Sequence, residues 1–287
     1  TEVVRLHPEL VTHEAMLFAS KELEFIEKHQ IKTYFYKDEN YPYRLAHCVD
    51  APLILYAKGN VDVNPKHVVS VVGTRMPSER GKDWCRRLIL DLAAKVPEVT
   101  IVSGLAFGID VIAHKAAMES GISTIIIPAH GLDRIYPSVH RSVAVQALDK
   151  GGILTEYTRE TEPERFNFVA RNRIVAGMAD AVVVVESKKK GGSLITADMA
   201  VDYVRPLGNS FSLKSKLDVF LNHLTDKITS APTPEDPNIW APYNIGKVRS
   251  AGMDAMAGVY YNRENWKCSA DVKYSYLSSI DKSNGTP

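Results

Sequence analysis

The stretch His67-Val-Val-Ser-Val-Val-Gly-Thr-Arg75 is a short apolar run that ends in a glycine, a hydroxyl and a cation. Runs rich in Val and Ile recur downstream at Val99–Val102, Thr124–Ile127, Ile153–Glu156 and Ala181–Val185. The segments between these runs have helical periodicity. Apolar strands that alternate with helices are typical of a parallel sheet covered by helices on both faces. The sequence therefore predicts an α/β fold.

The segments on either side of this region are less regular. Residues 1–60 combine a helical pattern with a short extended piece and proline-containing connections, so we expect a small N-terminal lead-in. We assign residues 61–228 to the α/β domain, and residues 229–287 to a linker and an irregular C-terminal segment. Within the domain, we interpret Phe211–Ile228 as one or two amphipathic helices.

Composition narrows the class of protein. The chain of 287 residues has 35 Lys and Arg against 34 Asp and Glu, so its net charge is +1 and any nucleic-acid site must be a local patch. Cys48, Cys85 and Cys268 are isolated, which argues against a disulfide framework or a zinc site and favours a reducing compartment. No apolar run approaches the ~18 residues of a membrane helix. We expect a cytoplasmic protein without a metal site or a membrane partner.

Candidate chemistry lies in the loops after the predicted strands, because ligands bind at the carboxyl ends of parallel strands. Gly73-Thr-Arg75 offers close backbone approach, a hydroxyl and a cation, although a structural turn explains it equally well. Ser103 and Gly104 open a second loop. Its next glycine is Gly108, and the G-x-G-x-x-G spacing of dinucleotide sites is absent, so we expect no nucleotide cofactor.

Other polar residues near these loops have simpler explanations. Asp110 and His114 lie four residues apart on one predicted helical face, where support of the helix start is a better explanation than a catalytic or metal pair. Tyr136 follows the third loop, and we interpret it as a packing residue rather than a platform for a base.

The two remaining loops are the richest in cations. Phe168-Val-Ala-Arg-Asn-Arg173 places two arginines beside a ring, with Arg165 just upstream. Lys188-Lys-Lys190 precedes two glycines and a serine. Taken alone, each loop fits a solvated surface. Because all five loops would share one edge of the sheet, together they predict a shallow basic groove suited to a nucleic-acid backbone.

Five motifs resemble, in order and spacing, those of the DprA/Smf DNA-processing proteins. They are Val71–Arg75, Ile101–Asp110 with Ala113-His114, Gly131–Asp133 with Tyr136-Pro137, Phe168–Ile174, and Gly191–Ala197. The resemblance implies an extended Rossmann-like fold and a homodimer that binds single-stranded DNA. It also implies a recombination mediator that protects incoming DNA and helps load the RecA recombinase during natural transformation, the competence-linked route into homologous recombination.

The resemblance also implies which residues contact DNA. The predicted DNA-binding side chains are Arg75, Arg165, Phe168, Arg171, Asn172, Arg173, Lys188, Lys189 and Lys190. The predicted phosphate contacts are Gly73, Thr74, Ser103, Gly104, Gly191, Gly192, Ser193 and Thr196. Phe168 would stack on a base of any identity, for about 1–3 kcal/mol. Little sequence preference is therefore expected.

The sequence favours a binding protein over an enzyme. No G-x-x-x-x-G-K-[ST] phosphate loop occurs, and no carboxylate cluster suggests two-metal chemistry, so we expect no catalytic residues. The alternative is a Rossmann-like nucleotide sensor or nucleotide ribohydrolase. Such hydrolases carry a motif that resembles Pro-Gly-Gly-x-Gly-Thr, with a Glu nearby. This chain has Lys190-Gly-Gly-Ser193 at the comparable place, and Glu186 precedes it, which weakens the enzyme alternative.

Overall fold

The computed structural model describes residues 11–48, 50–187 and 196, and strand segments at 204–206, 211–225, 228–232, 240–244, 247–263 and 266–281. Contacts divide the chain into two compact units, residues 1–185 with 190–199, and residues 186–189 with 200–287. The sequence-based boundaries after residues 60 and 228 stay predictions. None of the described helices has both the length and the apolar character needed to cross a membrane.

The first unit contains a seven-stranded sheet. Its strands are β1 (Lys32–Phe35), β2 (Ile54–Gly59), β3 (His67–Gly73), β4 (Val99–Ser103), β5 (Ser123–Ile126), β6 (Gly152–Thr155) and β7 (Ala181–Val185). The order across the sheet is β1-β2-β6-β5-β4-β3-β7. Strands β3 to β7 are mutually parallel, which confirms the predicted α/β class. Strands β1 and β2 pair antiparallel at one edge, so the N-terminal lead-in contributes to the sheet.

Two helices belong to the N-terminal part, α1 (His13–Lys28) before β1 and α2 (Tyr43–Ala46) between β1 and β2. The parallel strands are connected by α3 (Glu79–Lys95), α4 (Ile109–Glu119), α5 (Arg141–Lys150) and α6 (Arg165–Gly177). The start of α3 is capped by Ser78, whose hydroxyl accepts the Gly81 N–H at 3.1 Å. Such a cap satisfies one of the amides that a helix start leaves without a partner.

Adjacent residues of β3 show how the sheet is covered on both faces. Val71 packs with Ile89 of α3 and Ile109 of α4, whereas Val72 packs with Leu45 of α2 and Ile174 of α6. Because successive side chains of a strand point to opposite faces, two apolar neighbours require helices on both sides. This arrangement places the loops after β3, β4 and β5 at one edge, together with the start of α6.

The second unit is built of antiparallel strands, in a four-stranded sheet and a two-stranded pair. The prediction of helices over Phe211–Ile228 is wrong, because Phe211–Thr225 is a strand that pairs with Lys247–Arg263. Phe211, Leu213, Leu217, Val219 and Leu221 recur with the two-residue period of a strand. The same stretch holds enough apolar residues to suggest a helical stripe as well.

Candidate nucleic-acid interface

The chain around the end of β3 is packed so closely against the end of β7 and the loop after β4 that only glycine fits at two positions. A Cβ on Gly73 would lie 2.1 Å from the Val185 carbonyl oxygen, and a Cβ on Gly108 would lie 2.2 Å from the Thr74 carbonyl oxygen. Gly108 also has φ +82, and the Ile109 N–H donates to the Thr74 carbonyl at 3.2 Å. The backbone that carries Arg75 is therefore held between two neighbouring loops.

Arg75, Tyr136 and Phe168 form a group that we call the Arg75 cluster. The Arg75 Cζ lies 5.3 Å from the centroid of the Phe168 ring, and the Tyr136 and Phe168 ring centroids are 5.9 Å apart. Arg75 is exposed, Tyr136 is 46% exposed and Phe168 is half-buried. Arg75 makes no ion pair with a residue that the structure describes. The cluster thus presents an available guanidinium beside two partly open rings.

Hydrogen bonds of His130 fix the turn that carries Tyr136. The Tyr136 N–H donates to the His130 Nε2 at 3.1 Å, and the His130 Nδ1 lies 2.8 Å from the Gly131 carbonyl oxygen. Nε2 must be the unprotonated nitrogen, so Nδ1 carries the proton and donates to Gly131. Burial lowers the pKa of His130, which favours this neutral form. These hydrogen bonds therefore fix the backbone position from which the Tyr136 side chain extends.

Arg171 lies inside the protein rather than in the predicted groove. Arg171 is only 3% exposed. Its Nη1 donates to the Gly104 carbonyl at 2.8 Å and to the Ile127 carbonyl. Asp110 is buried beside it. Burial raises the pKa of the Asp110 carboxyl, and the positive charge of Arg171 opposes that rise. In this structure the guanidinium joins the loops after β4 and β5, so it has no free face for a phosphate.

The neighbours of Arg171 in the predicted motif are also engaged with protein groups. Both guanidinium Nη atoms of Arg173 donate to the Glu156 carboxylate, and its Nε donates to the Asp50 carbonyl at 2.9 Å. The Asn172 Oδ1 accepts from the Arg171 Nε at 3.2 Å. The guanidinium groups of Arg171 and Arg173 are thus engaged with protein groups, whereas Asn172 is engaged only through its Oδ1. Phe168 is the member of the motif that belongs to the Arg75 cluster.

The predicted phosphate contacts also divide into buried residues that hold the fold together and partly exposed residues near Arg75. The Ser103 hydroxyl is fully buried and donates to the Val71 carbonyl at 2.6 Å, so it joins two strands. The Thr74 Oγ1 accepts the Met76 N–H at 3.3 Å on a partly exposed turn beside Arg75. A Cβ at Gly104 would lie 2.5 Å from the Arg171 guanidinium nitrogens, which assigns this glycine a packing role. Thr196 is 1% exposed.

The last predicted DNA contacts are Arg165 and the segment from Lys188 to Ser193. Arg165 is exposed at the first position of α6 and makes no ion pair with a described residue. A cation there opposes the helix dipole, so helix stability does not explain it. Lys188, Lys189, Lys190, Gly191, Gly192 and Ser193 lie outside the described residues. Across the described parts of the chain, no group of three or more His, Cys, Asp or Glu side chains could hold a metal ion.

A model of the family described as DNA recombination-mediator protein A matches residues 32–215. The chain belongs to this family. It is 39% identical over 203 residues to Protein Smf of Synechocystis sp., a match that covers 68% of this chain and 50% of that protein. It is 40% identical over 165 residues to DNA processing protein DprA of Streptococcus pneumoniae, covering 58% of this chain and 57% of that one. The chain spans about half the length of these curated relatives.

Solved structures of the DNA recombination-mediator protein A family share the fold. The X-ray structure of DprA from Streptococcus pneumoniae has a TM-score of 0.56 at 35% identity, covering 63% of each chain. DNA processing protein A of Helicobacter pylori, described for its mode of binding single-stranded DNA, has a TM-score of 0.55 at 32% identity. That match covers 61% of this chain and 77% of that one. These neighbours confirm the Rossmann-like class of the fold.

In this family member, the structure brings together fewer residues than the motifs suggested. Arg75 and Phe168 meet, with Arg165 at the start of the helix that carries Phe168. Tyr136, interpreted from the sequence as a packing residue, is the member of the Arg75 cluster that sequence reasoning left out. The available signal was its place after a strand, on the same edge as the other loops.

Proposed function

We propose that this chain binds single-stranded DNA at the Arg75 cluster and that it does so as a recombination mediator, not as an enzyme. One observation carries the proposal: the exposed guanidinium of Arg75 lies 5.3 Å from the ring of Phe168, which in turn lies against the exposed ring of Tyr136. A cation beside rings suits a ligand that alternates phosphates with flat bases.

Each group has a separate part in this proposal. Arg75 and Arg165 would hold phosphate oxygens, because both are exposed and lack an ion pair with a described residue. Phe168 and Tyr136 would stack on bases without selecting their identity. Backbone groups of Gly73 and Thr74 would help position the strand. Lys188–Lys190 and Gly191–Ser193 stay predicted contacts of the same groove.

Membership in the family supports a wider role. DNA processing protein A of Helicobacter pylori, which is 32% identical to this chain, is described as binding single-stranded DNA. By the same likeness we propose that the protein works as a homodimer, protects incoming DNA and helps load RecA during natural transformation. Arg171, Asn172 and Arg173 would support this work from inside the fold, by holding the loops in place.

The test compares labelled oligo-dT with a duplex of equal length, by fluorescence anisotropy over about 50 to 200 mM salt. We expect tighter binding of the single strand. Arg75→Ala should weaken it at least tenfold and reduce the slope of log affinity against log salt by about 0.7, the value for one phosphate contact on a single strand. Arg86→Ala is the matched control, because Arg86 is exposed but already paired with Asp83 at 3.0 Å.

Two results would contradict the proposal. Equal loss of affinity in Arg75→Ala and Arg86→Ala would show a general charge effect rather than a site at the Arg75 cluster. Release of free base from a nucleoside monophosphate by the purified chain, abolished by Arg75→Ala, would indicate the ribohydrolase alternative instead.

A further inference from the structure

The outer face of α3 carries a stripe of three exposed side chains, Arg80, Trp84 and Arg87. Their spacing of four and three residues places them on one side of the helix, over about 10 Å. All three are exposed, and Trp84 shows 39% of its surface. The opposite side of α3 is buried through Cys85 and Ile89. The two arginines and the open part of the Trp84 ring thus lie outside the buried side of the helix.

Charge on this stripe is not cancelled by its own helix. Glu79 is paired with Lys82 at 2.6 Å, and Asp83 is paired with Arg86 at 3.0 Å. Arg80 and Arg87 make no ion pair with a described residue. Asp83 lies on the same side of the helix between Arg80 and Arg87, but it is the carboxylate paired with Arg86. Asp91, exposed one turn beyond Arg87, is the next acidic group along the helix. Four cations against two carboxylates leave the first half of α3 with a positive excess.

The stripe begins a few residues after the Arg75 cluster along the chain. Arg75 precedes Arg80 by five residues, and the intervening chain turns directly from the end of β3 into the capped start of α3. A strand that leaves Arg75 on this side meets a cation, an indole and a second cation in turn. An exposed indole is a stacking surface for an unstacked base, which a duplex does not offer.

We propose that the outer face of α3 is a second contact segment for single-stranded DNA, occupied by nucleotides that extend beyond the Arg75 cluster. Arg80 and Arg87 hold phosphates, and Trp84 stacks on a base between them. This inference rests on the function proposed above and adds to it a dependence of affinity on strand length.

Two oligo-dT probes separate the segments: one of about 5 nucleotides, which fills the Arg75 cluster, and one of about 20, which reaches α3. In the full chain, the double variant Arg80→Ala/Arg87→Ala should bind the short probe as before. It should bind the long probe about tenfold or more weakly, with a salt slope smaller by about 1.4, the sum of two phosphate contacts. Trp84→Leu should weaken only the long probe, and Arg86→Ala should weaken neither.

Fluorescence gives a second readout that does not depend on affinity. The chain has 3 tryptophans, Trp84, Trp240 and Trp266, so Trp240→Phe/Trp266→Phe leaves Trp84 as the reporter. We expect the long probe to quench its emission and the short probe to leave it unchanged. If that variant unfolds, the quenching lost between the unmodified chain and Trp84→Phe gives the same information.

The outcomes distinguish this inference from the function on which it rests. If Arg75→Ala abolishes binding of the short probe while the α3 variants keep full affinity and salt slope for the long one, the α3 segment is overturned and the Arg75 site stands. If the unmodified chain binds neither probe, both proposals fail. Unquenched Trp84 in a saturated long complex also overturns the α3 segment.

Discussion

Arg75 and Arg171 both reach the carboxyl edge of the sheet, yet one is exposed beside a ring and the other is 3% exposed among carbonyl oxygens. Arg75 makes no ion pair with a described residue, whereas Arg171 donates to Gly104 and Ile127 beside the buried Asp110. The same side chain therefore serves as an available cation in one region and as an internal connector in the other. A motif that contains arginine does not by itself locate a ligand.

The largest expected effect is a loss of folding stability when Arg171, in the interior region, is replaced. Arg171→Ala leaves the buried Gly104 and Ile127 carbonyls without this donor and removes the larger of two positive charges that act on the buried Asp110, so we expect it to lower the free energy of unfolding by about 3 kcal/mol. Urea denaturation followed by circular dichroism measures this. Arg75→Ala serves as the comparison and should stay within about 0.5 kcal/mol of the unmodified chain. Similar losses in both variants would remove the distinction between the two regions.

A pH series tests the interior region through His114, which is completely buried near Arg171. Its Nδ1 lies 2.7 Å from the Thr124 hydroxyl, which donates to the Ile101 carbonyl, so Nδ1 donates to Thr124. Burial, with a smaller contribution from the charge of Arg171, lowers the pKa of His114 from 6.5 to about 3.

Below pH 6.5 the unfolded chain therefore takes up a proton at His114 that the folded chain refuses. This contribution to stability is complete above that value and is lost as the pH falls from about 6.5 towards 3. We expect about 2 kcal/mol to be lost between pH 7 and pH 5. His114→Gln should flatten this part of the profile in urea titrations. An unchanged slope would show that His114 is charged in the folded protein.

The smallest expected effect sharpens the description of the exposed region. Phe168→Leu keeps an apolar side chain but removes the flat surface, so it should weaken oligo-dT binding by about 1 kcal/mol, roughly fivefold. Tyr136→Leu should have a similar or smaller effect. Anisotropy gives the affinities, and thermal unfolding is the control. Lower thermal stability with full affinity would place both rings in the core rather than at a base.

The fold was predictable where the pattern is local. Near-continuous apolar runs such as Val68–Val72 identify buried parallel strands, because few other elements are apolar on both faces. Strand β1 was harder, since four residues at a sheet edge carry little periodicity and take their pairing from β2. The apolar residues of Phe211–Thr225 fit either a helix or a strand. The segment is a strand in the structure, where it pairs with Lys247–Arg263.

Which loops meet could be predicted from the sequence, but the exposure of each candidate side chain could not. Loops after parallel strands meet at one edge whatever their sequence, so Arg75 and Phe168 could be grouped in advance. The direction of Arg171 depends on carbonyls 67 and 44 residues away along the chain. Arg173 likewise depends on Glu156, 17 residues away. Such non-local partners leave no trace in a single motif.

The contact between Gly104 and Arg171 couples the effects of substitutions at these two positions. A methyl group at residue 104 would occupy the space of the guanidinium, so the two positions are not independent. Gly104→Ala should be costly beside arginine and much milder beside a short residue at 171, giving a coupling energy of about 0.5–3 kcal/mol in a double-mutant cycle. The cost of a change at either position therefore depends on which residue occupies the other.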